Sequence, residues 1–429
     1  CCVASALRPW RTAFLLPLYL STSALYSFLS SFDMYQRSSP SQQQQQQYCG
    51  IGTSSPGQSI IFVSEDNVRP VVYNARSHLA ILFKCNGSVW PKVLPYCLVN
   101  MTIMGVSEYL YQVQGVNLYF SQKGHGFMSV IVGFLVVSRV NVIVSRYMDM
   151  KTNLNNLFTT ATMLLSTMAA VAQDQTEEGA IQWRQDVCYR TMIFVQSAVT
   201  FMRFRSTKQN VWDVPGLEAA ERQFMVDNTY QPGAPAARYA HGRTQRLLTE
   251  NARVTTRMLS RLLSALVENR SRLGTALATP TENKLLGYVD HLYVAYTNLM
   301  KVQLTPYPFP LIQMARTFLF FYVFTLPFAL VGDSSGVIAD ICIVLILTYG
   351  FLGLEYVAIE LDDPFGNDAN DFDSMRMVKN FYQDVYLMIN DVDGQHSATM
   401  LRERMSMSDS KSSTPTGVPE QAKLLDVCY

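Results

Sequence analysis

Four runs of apolar residues, at 93–111, 127–144, 309–331 and 336–359, are the strongest pattern in the chain. Each is near the length of about 20 residues that a helix needs to cross a bilayer. Polar links at 121–126 and 332–335 pair them into two hairpins with short outer loops, which places both ends of the core on the cytosolic side. Pro91 and Pro95 should bend the start of the first run, and Asn100 and Glu108 interrupt it. Arg139 and Asn141 interrupt the second, which is expected to close at Ser145-Arg146-Tyr147. A charge inside a spanning helix costs roughly 2.5–3.5 kcal/mol on insertion scales. Arg139 therefore faces a pore, a cavity or a neighbouring helix, or else it snorkels to the helix end.

Between 148 and 305 the pattern changes to amphipathic helices. Leu247, Leu248, Val254, Met258, Leu262, Leu263 and Leu266 recur at helical spacing with arginines on the opposite face. Further helices are expected at 154–172, 190–203 and 284–300, with a connector at 227–243 around Pro232-Gly233 and Pro235. Together they predict a cytosolic helical bundle, and its arginine excess marks that side as the inside. A last helix should run over 374–389, and residues 395–429 form a polar, Ser-rich tail. Residues 1–69 differ from the rest. Arg8 and Arg11 precede an apolar run at 13–32, and a Gln42–Gln47 tract follows. That reads as a targeting-like, low-complexity extension, and the opening Cys1 in place of Met suits a processed form or a fragment. The fold class is thus an all-α membrane protein, with four transmembrane helices and a cytosolic helical bundle.

Composition agrees. Of 429 residues 49% are hydrophobic and only 16% charged, against about a quarter charged in a soluble protein. A net charge of +1 gives no basic face for nucleic acid. The eight cysteines are scattered with no CxxC pair, and Cys97 and Cys342, inside apolar runs, read as buried thiols. The five histidines are isolated, and no HExxH, P-loop, GxSxG or dinucleotide fingerprint occurs. Nothing here points to an enzyme.

One stretch, 355–373, carries candidate chemistry. The fourth apolar run ends in Asp363-Pro364-Phe365-Gly366, a turn that Pro364 and Gly366 suit. Asp368, Asn370, Asp371 and Asp373 then crowd into six residues. Hard oxygen donors this dense fit Ca²⁺ better than a transition metal. The spacing is not that of an EF-hand, and the loop equally suits a solvated acidic cap on the helix from Ser374.

Several of these residues, in this order, resemble the bestrophin family of anion channels. The similarity runs over roughly 70–394. It is carried by Gly353-Leu354-Glu355 through the Asp363-Pro364-Phe365-Gly366 turn, Arg316-Thr317, Thr325-Leu326-Pro327-Phe328, Asn74-Ala75-Arg76, Gly87-Ser88-Val89 and the Arg139-x-Asn141-x4-Arg146-Tyr147 run. The resemblance implies a homopentamer in lipid, its second membrane helix lining one axial pore for chloride or bicarbonate. It places a hydrophobic neck on Val130, Phe134 and Ser138, with Phe127, Ile131 and Leu135 as the slipped register, and a cytosolic constriction near Thr281. It also implies a regulatory Ca²⁺ held by the Asp368 and Asp371 carboxylates and by carbonyls of Glu360, Asp363 and Tyr73. Ala369 and Asn367 thin that acid cluster. Arg139 and Arg146, near the lower end of the neck helix, would add a potential favourable to anions. Three alternatives stand beside this: a calcium-independent, voltage-set channel; a Mg²⁺-dependent membrane enzyme using Asp362, Asp363, Asp368 and Asp371; and a non-conducting scaffold. The membrane could be the cell surface or a plastid.

Overall fold

The computed structural model describes residues 76, 81–120, 122–229, 240–305, 307–332 and 336–406. The 1–69 extension, Tyr73 and the tail beyond 406 lie outside the described residues. In chain order the helices are α1 (Trp90–Gln114), α2 (Gln122–Val171), α3 (Glu178–Thr207), α4 (Ala219–Thr229), α5 (Ala240–Val267), α6 (Asn269–Arg272), α7 (Thr279–Leu304), α8 (Phe309–Leu330), α9 (Val337–Asp362) and α10 (Ser374–Ser406). A 3-10 turn, Val211–Asp213, follows α3. No strand occurs among the described residues. The helices α1, α2, α8 and α9 are long and apolar enough to cross a membrane, as the four apolar runs predict.

The main departure is α2. It does not close at Ser145-Arg146-Tyr147 but runs unbroken for 50 residues, about 75 Å at 1.5 Å per residue. No Gly or Pro stands between Phe134 and Val171, so nothing local stops it. A buried seam also continues down one side: Val132, Val136, Arg139, Ile143, Met150, Leu154, Leu157, Ala161 and Leu164. The upper part of that seam packs on α8 and α9, and the lower part on α7 and α10. One rigid helix therefore belongs to both halves of the molecule.

The membrane half closes around Val93, Cys97, Val132, Val136, Leu319, Tyr322, Val323 and Leu352. Its first helix stops at Gly115 (φ 64°), where the Val116 N–H reaches back to the Leu110 carbonyl at 3.2 Å; that left-handed cap suits glycine. Cys97 is buried as expected, whereas Cys342 is exposed on the single chain.

The extramembrane half is built around α3, whose Trp183, Tyr189, Phe194 and Phe201 are fully buried. Tyr296 of α7 meets Phe194 and Phe201 edge-on. The Trp183 indole N–H donates to the Ala265 carbonyl at 2.9 Å, and the Tyr296 hydroxyl to Ala252 at 3.0 Å. Arg184 would be costly here without a partner. Its Nε donates to both Asp393 oxygens at 3.0 Å. Asp393 precedes Gly394 (φ 83°), where α10 breaks and turns. Beyond that break Ala398, Leu401 and Met405 return to the core. Helix α10 thus continues to Ser406, past the boundary expected near 394, because an apolar i, i+3, i+7 stripe follows the glycine.

Candidate functional site

Opposite its seam, α2 presents one open face. Phe127 (77%), Val130 (72%), Ile131, Phe134 (71%) and Val137 are exposed on the chain. Farther down, the same face becomes polar at Asn141, Ser145, Asp149 and Thr152. Of the residues placed at the neck, Val130 and Phe134 lie on this face, and Ser138 is half-buried toward the seam. Four-residue steps overshoot a 3.6-residue turn by 40° each. After two steps the stripe has drifted, and Val137 takes the open position. In the slipped register Phe127 and Ile131 are exposed and Leu135 is half-buried.

Arg139 is not offered to that face. It is buried in the seam and pairs with the buried Glu355 of α9. Arg316 of α8 donates its Nε to the same Glu355 oxygen at 2.7 Å, so one carboxylate ties three spans together. The cluster carries two guanidiniums for one carboxylate, and Arg316 is 43% exposed. Nearby, the Asn100 amide of α1 donates to the Val323 carbonyl and the Thr348 hydroxyl, both at 2.9 Å. Arg146 also has protein partners: its Nη2 reaches the Val302 and Thr305 carbonyls at 3.4 and 3.3 Å, at the end of α7, and its Nη1 lies 3.8 Å from Asp362. Both arginines expected to attract anions are therefore engaged in holding helices together. Thr281 is half-buried in the first turn of α7, where its N–H donates to Ala278 at 2.9 Å.

The acidic loop begins where α9 ends. Pro364 brings no N–H to the Glu360 carbonyl, and the Phe372 N–H closes the loop on the Pro364 carbonyl at 2.8 Å. Within it, the buried Asp371 accepts the Asp368 N–H at 2.6 Å. A Cβ on Gly366 would stand 2.7 Å from an Asp371 oxygen, so only glycine leaves this carboxylate in place. Burial, with Asp368, Asp363 and Glu360 nearby, pushes the Asp371 carboxyl up to about 6, against the Asp368 N–H. Burial also raises Asp363, opposed by Arg205.

Four helices meet this loop. The Asn370 amide donates to the Gly87 carbonyl before α1 and to Glu360, both at 3.1 Å, and Lys92 of α1 pairs with Glu360 at 2.5 Å. Phe372 lies 4.8 Å from the Tyr147 ring of α2. Arg203 and Ser206 of α3 reach Asn367 and the Phe365 carbonyl at 2.9 and 3.2 Å. Among the described residues no three His, Cys, Asp or Glu side chains converge as a metal-holding group. A cation here would depend on carbonyl oxygens as well as on Asp368 and Asp371. The hard-oxygen donors and the crowded, raised Asp371 fit calcium. The Tyr73 carbonyl lies outside the described residues.

Sequence reasoning gave no role to Lys92, Val137 or the pairing of Glu355. The helical period alone would have found Val137, since 130, 134, 137 and 141 hold one face.

Four apolar spans sharing a long helix with an extramembrane bundle define a multi-pass integral membrane protein. A family model described as Bacterial/Fungal Bestrophin protein matches residues 71–386. The chain belongs to the bestrophin family. It is 24% identical over 295 residues to a voltage-dependent anion channel-forming protein of Synechocystis sp., covering 68% of this chain and 85% of that protein. Two crystal structures of variants of a bacterial bestrophin homolog from Klebsiella pneumoniae match with TM-scores of 0.56 and 0.55 at 17% and 18% identity. They cover 70% and 71% of this chain and 99% of each of those. At that identity the likeness is one of fold.

Proposed function

We propose that this chain is one subunit of an anion channel, a homopentamer in lipid whose α2 helices surround a single axial pore for chloride or bicarbonate. The observation that carries the reading is the open face of α2, apolar from Phe127 to Val137 and mostly polar from Asn141 downward. That change along one open line is what an axial neck opening into a wet vestibule requires. The relative from Synechocystis sp., named for anion-channel formation, supports the same reading. Rings of Val130, Phe134 and Val137 side chains would gate by steric closure and dewetting. Below them Asn141 and Ser145 offer N–H and O–H donors to an anion. The Arg139–Glu355–Arg316 cluster leaves one positive charge in excess per chain, which favours anions without a tight site.

Regulation by calcium is part of the proposal. The Asp368 and Asp371 carboxylates and the Glu360 and Asp363 carbonyls would hold the ion, with Tyr73 as the further donor the resemblance implies. When bound, Ca²⁺ would supply positive charge that relieves the crowding of Asp363, Asp368 and Asp371. The chain's own residues carry the consequence. Phe372 bears on Tyr147 of α2, and α9 runs rigidly from the loop to Glu355, whose partner Arg139 adjoins Ser138. A shift of the loop thus reaches the neck helix at two points. It changes the open fraction only if calcium binds open and closed states unequally. The voltage-dependent relative favours a second reading in which the loop is a permanent brace and voltage sets the current.

Protons and calcium should compete at Asp371. Because its carboxyl lies near 6, calcium-induced thermal stabilisation should be full at pH 7.5. Apparent affinity should then fall about tenfold for each pH unit well below 6, since one proton must leave. Without calcium the sign reverses. The folded carboxyl is raised above its ordinary 3.8, so its contribution to stability is complete below about 4 and is lost as pH rises through about 6. Asp371→Asn should remove both pH dependences with assembly intact, and Gly366→Ala should weaken calcium by displacing the same carboxylate. A calcium shift unchanged in both variants would remove the loop from regulation.

A further inference from the structure

A second charged site lies far along the chain from the acidic loop, in the extramembrane bundle. Between α3, α5, α6 and α10 an open cavity of about 260 Å³ is lined by four arginines, Arg190, Arg261, Arg272 and Arg404, but by only two carboxylates, Asp186 and Glu268. The guanidiniums share their partners. Arg190 binds Glu221 through Nη1 at 2.5 and 2.6 Å. Arg261 approaches that same carboxylate only to 3.9 Å, and its buried Nε has no hydrogen-bond partner. Arg272 and Arg404 both pair with Asp186. Burial alone would raise the Asp186 carboxyl, but the two arginines outweigh it and hold it below its ordinary range. Glu268 and Glu218, which pair with Arg272 at 2.7 Å and Arg404 at 3.0 Å, are each 46% exposed, so solvent screens them. Arg404 is oriented by the Tyr189 ring, 3.9 Å beneath its guanidinium carbon.

Each guanidinium carries five N–H donors in a fixed fork. Four carboxylates meet the four forks, but Arg190 uses only its Nη1 and Arg261 has no partner closer than 3.9 Å among the described residues, so these two forks at the cavity keep unmatched donors. The fork geometry matches phosphate oxygens in particular, and a multiply charged anion could bridge the Arg190–Arg261 pair and the Arg272–Arg404 pair at once. We propose that this cavity binds a small, soluble phosphate-rich anion, of the pyrophosphate or phosphate-ester class, and so forms a ligand site separate from the pore. None of the helices that line it is a membrane span, which favours a soluble ligand over a lipid headgroup. Occupancy would draw α5 and α6 together with α3 and α10. Of these, α10 leads back through its first turns to the acidic loop at Ser374, and α3 ends beneath it at Arg203 and Ser206. The site is thereby placed to act on the loop.

The test is isothermal titration of the purified full-length protein with pyrophosphate at low ionic strength, with sodium chloride as the control. No current needs to be read, so the result is independent of the channel reading. One saturable site per chain is expected. Arg261→Gln removes the least-paired fork and should weaken binding about tenfold, with an unchanged melting temperature. Ser264→Glu should abolish binding, since Ser264 lines the cavity and is exposed, with a single bond to the Ser260 carbonyl at 3.1 Å. Absence of pyrophosphate binding in the wild type, or binding undiminished in both variants, would reduce the cluster to an ion-pair network that only holds helices together. Binding to phosphatidate vesicles but not to pyrophosphate would equally overturn the soluble-ligand assignment.

Discussion

Glu355→Leu should destabilise the protein by about 3–5 kcal/mol, because it leaves buried Arg139 without its counter-charge inside the membrane half. The side chain is short, but it holds three spans. Without it Arg139 of α2 and Arg316 of α8 face each other with like charge, and α9 loses its polar hold on both. Low yield and dissociated subunits in detergent are the expected readouts. Arg139→Met combined with Glu355→Leu should recover a large part of the loss, because replacing a buried pair by apolar groups of similar volume is often neutral or better. If the single variant proves as stable as the wild type, the triad is not a structural centre of the membrane half.

Phe134→Ala should have the largest effect on conduction. Phe134 is exposed on the open face of α2 between Val130 and Val137, where a ring of phenyl groups would close and dry the neck. Trimming it should raise the current at low calcium by about tenfold or more, and make the open fraction insensitive to the acidic loop. Stability should scarcely change, since the side chain packs little within its own subunit. A phenylalanine facing lipid predicts the opposite pattern, with unchanged current under every condition.

The spans were legible because membrane segments declare themselves by length and apolarity, and each of the four runs lies inside a helix or passes its end by one residue. The continuity of α2 was not. Its pattern changes from largely apolar to amphipathic near Met148, and a change in pattern looks like a boundary although no residue there breaks a helix. The acidic loop was legible as chemistry, through Pro364, Gly366, Asp368 and Asp371, but its attachments were not. Asn370 reaches Gly87 across 283 residues, and Lys92 reaches Glu360 across 268. Glu355 shows the same limit: an acid inside an apolar run signals that a partner exists, yet nothing local names Arg139, 216 residues away. That distance also explains why the partners of Arg139 and Arg146 could not be named from the sequence. Their partners are contributed by tertiary packing. Beyond Gly394 a polar-looking tail concealed Ala398, Leu401 and Met405, whose stripe becomes visible only once the glycine break resets the helix.

The most direct test of a pore lined by α2 is the reversal potential of purified protein in planar bilayers, under a chloride gradient and with free calcium stepped from nanomolar to micromolar. A current that reverses near the chloride equilibrium potential, rises with calcium and persists at low calcium in Phe134→Ala is the predicted result. Correctly assembled protein that passes no anion current at any voltage or calcium level, in wild type and in Phe134→Ala alike, would contradict it.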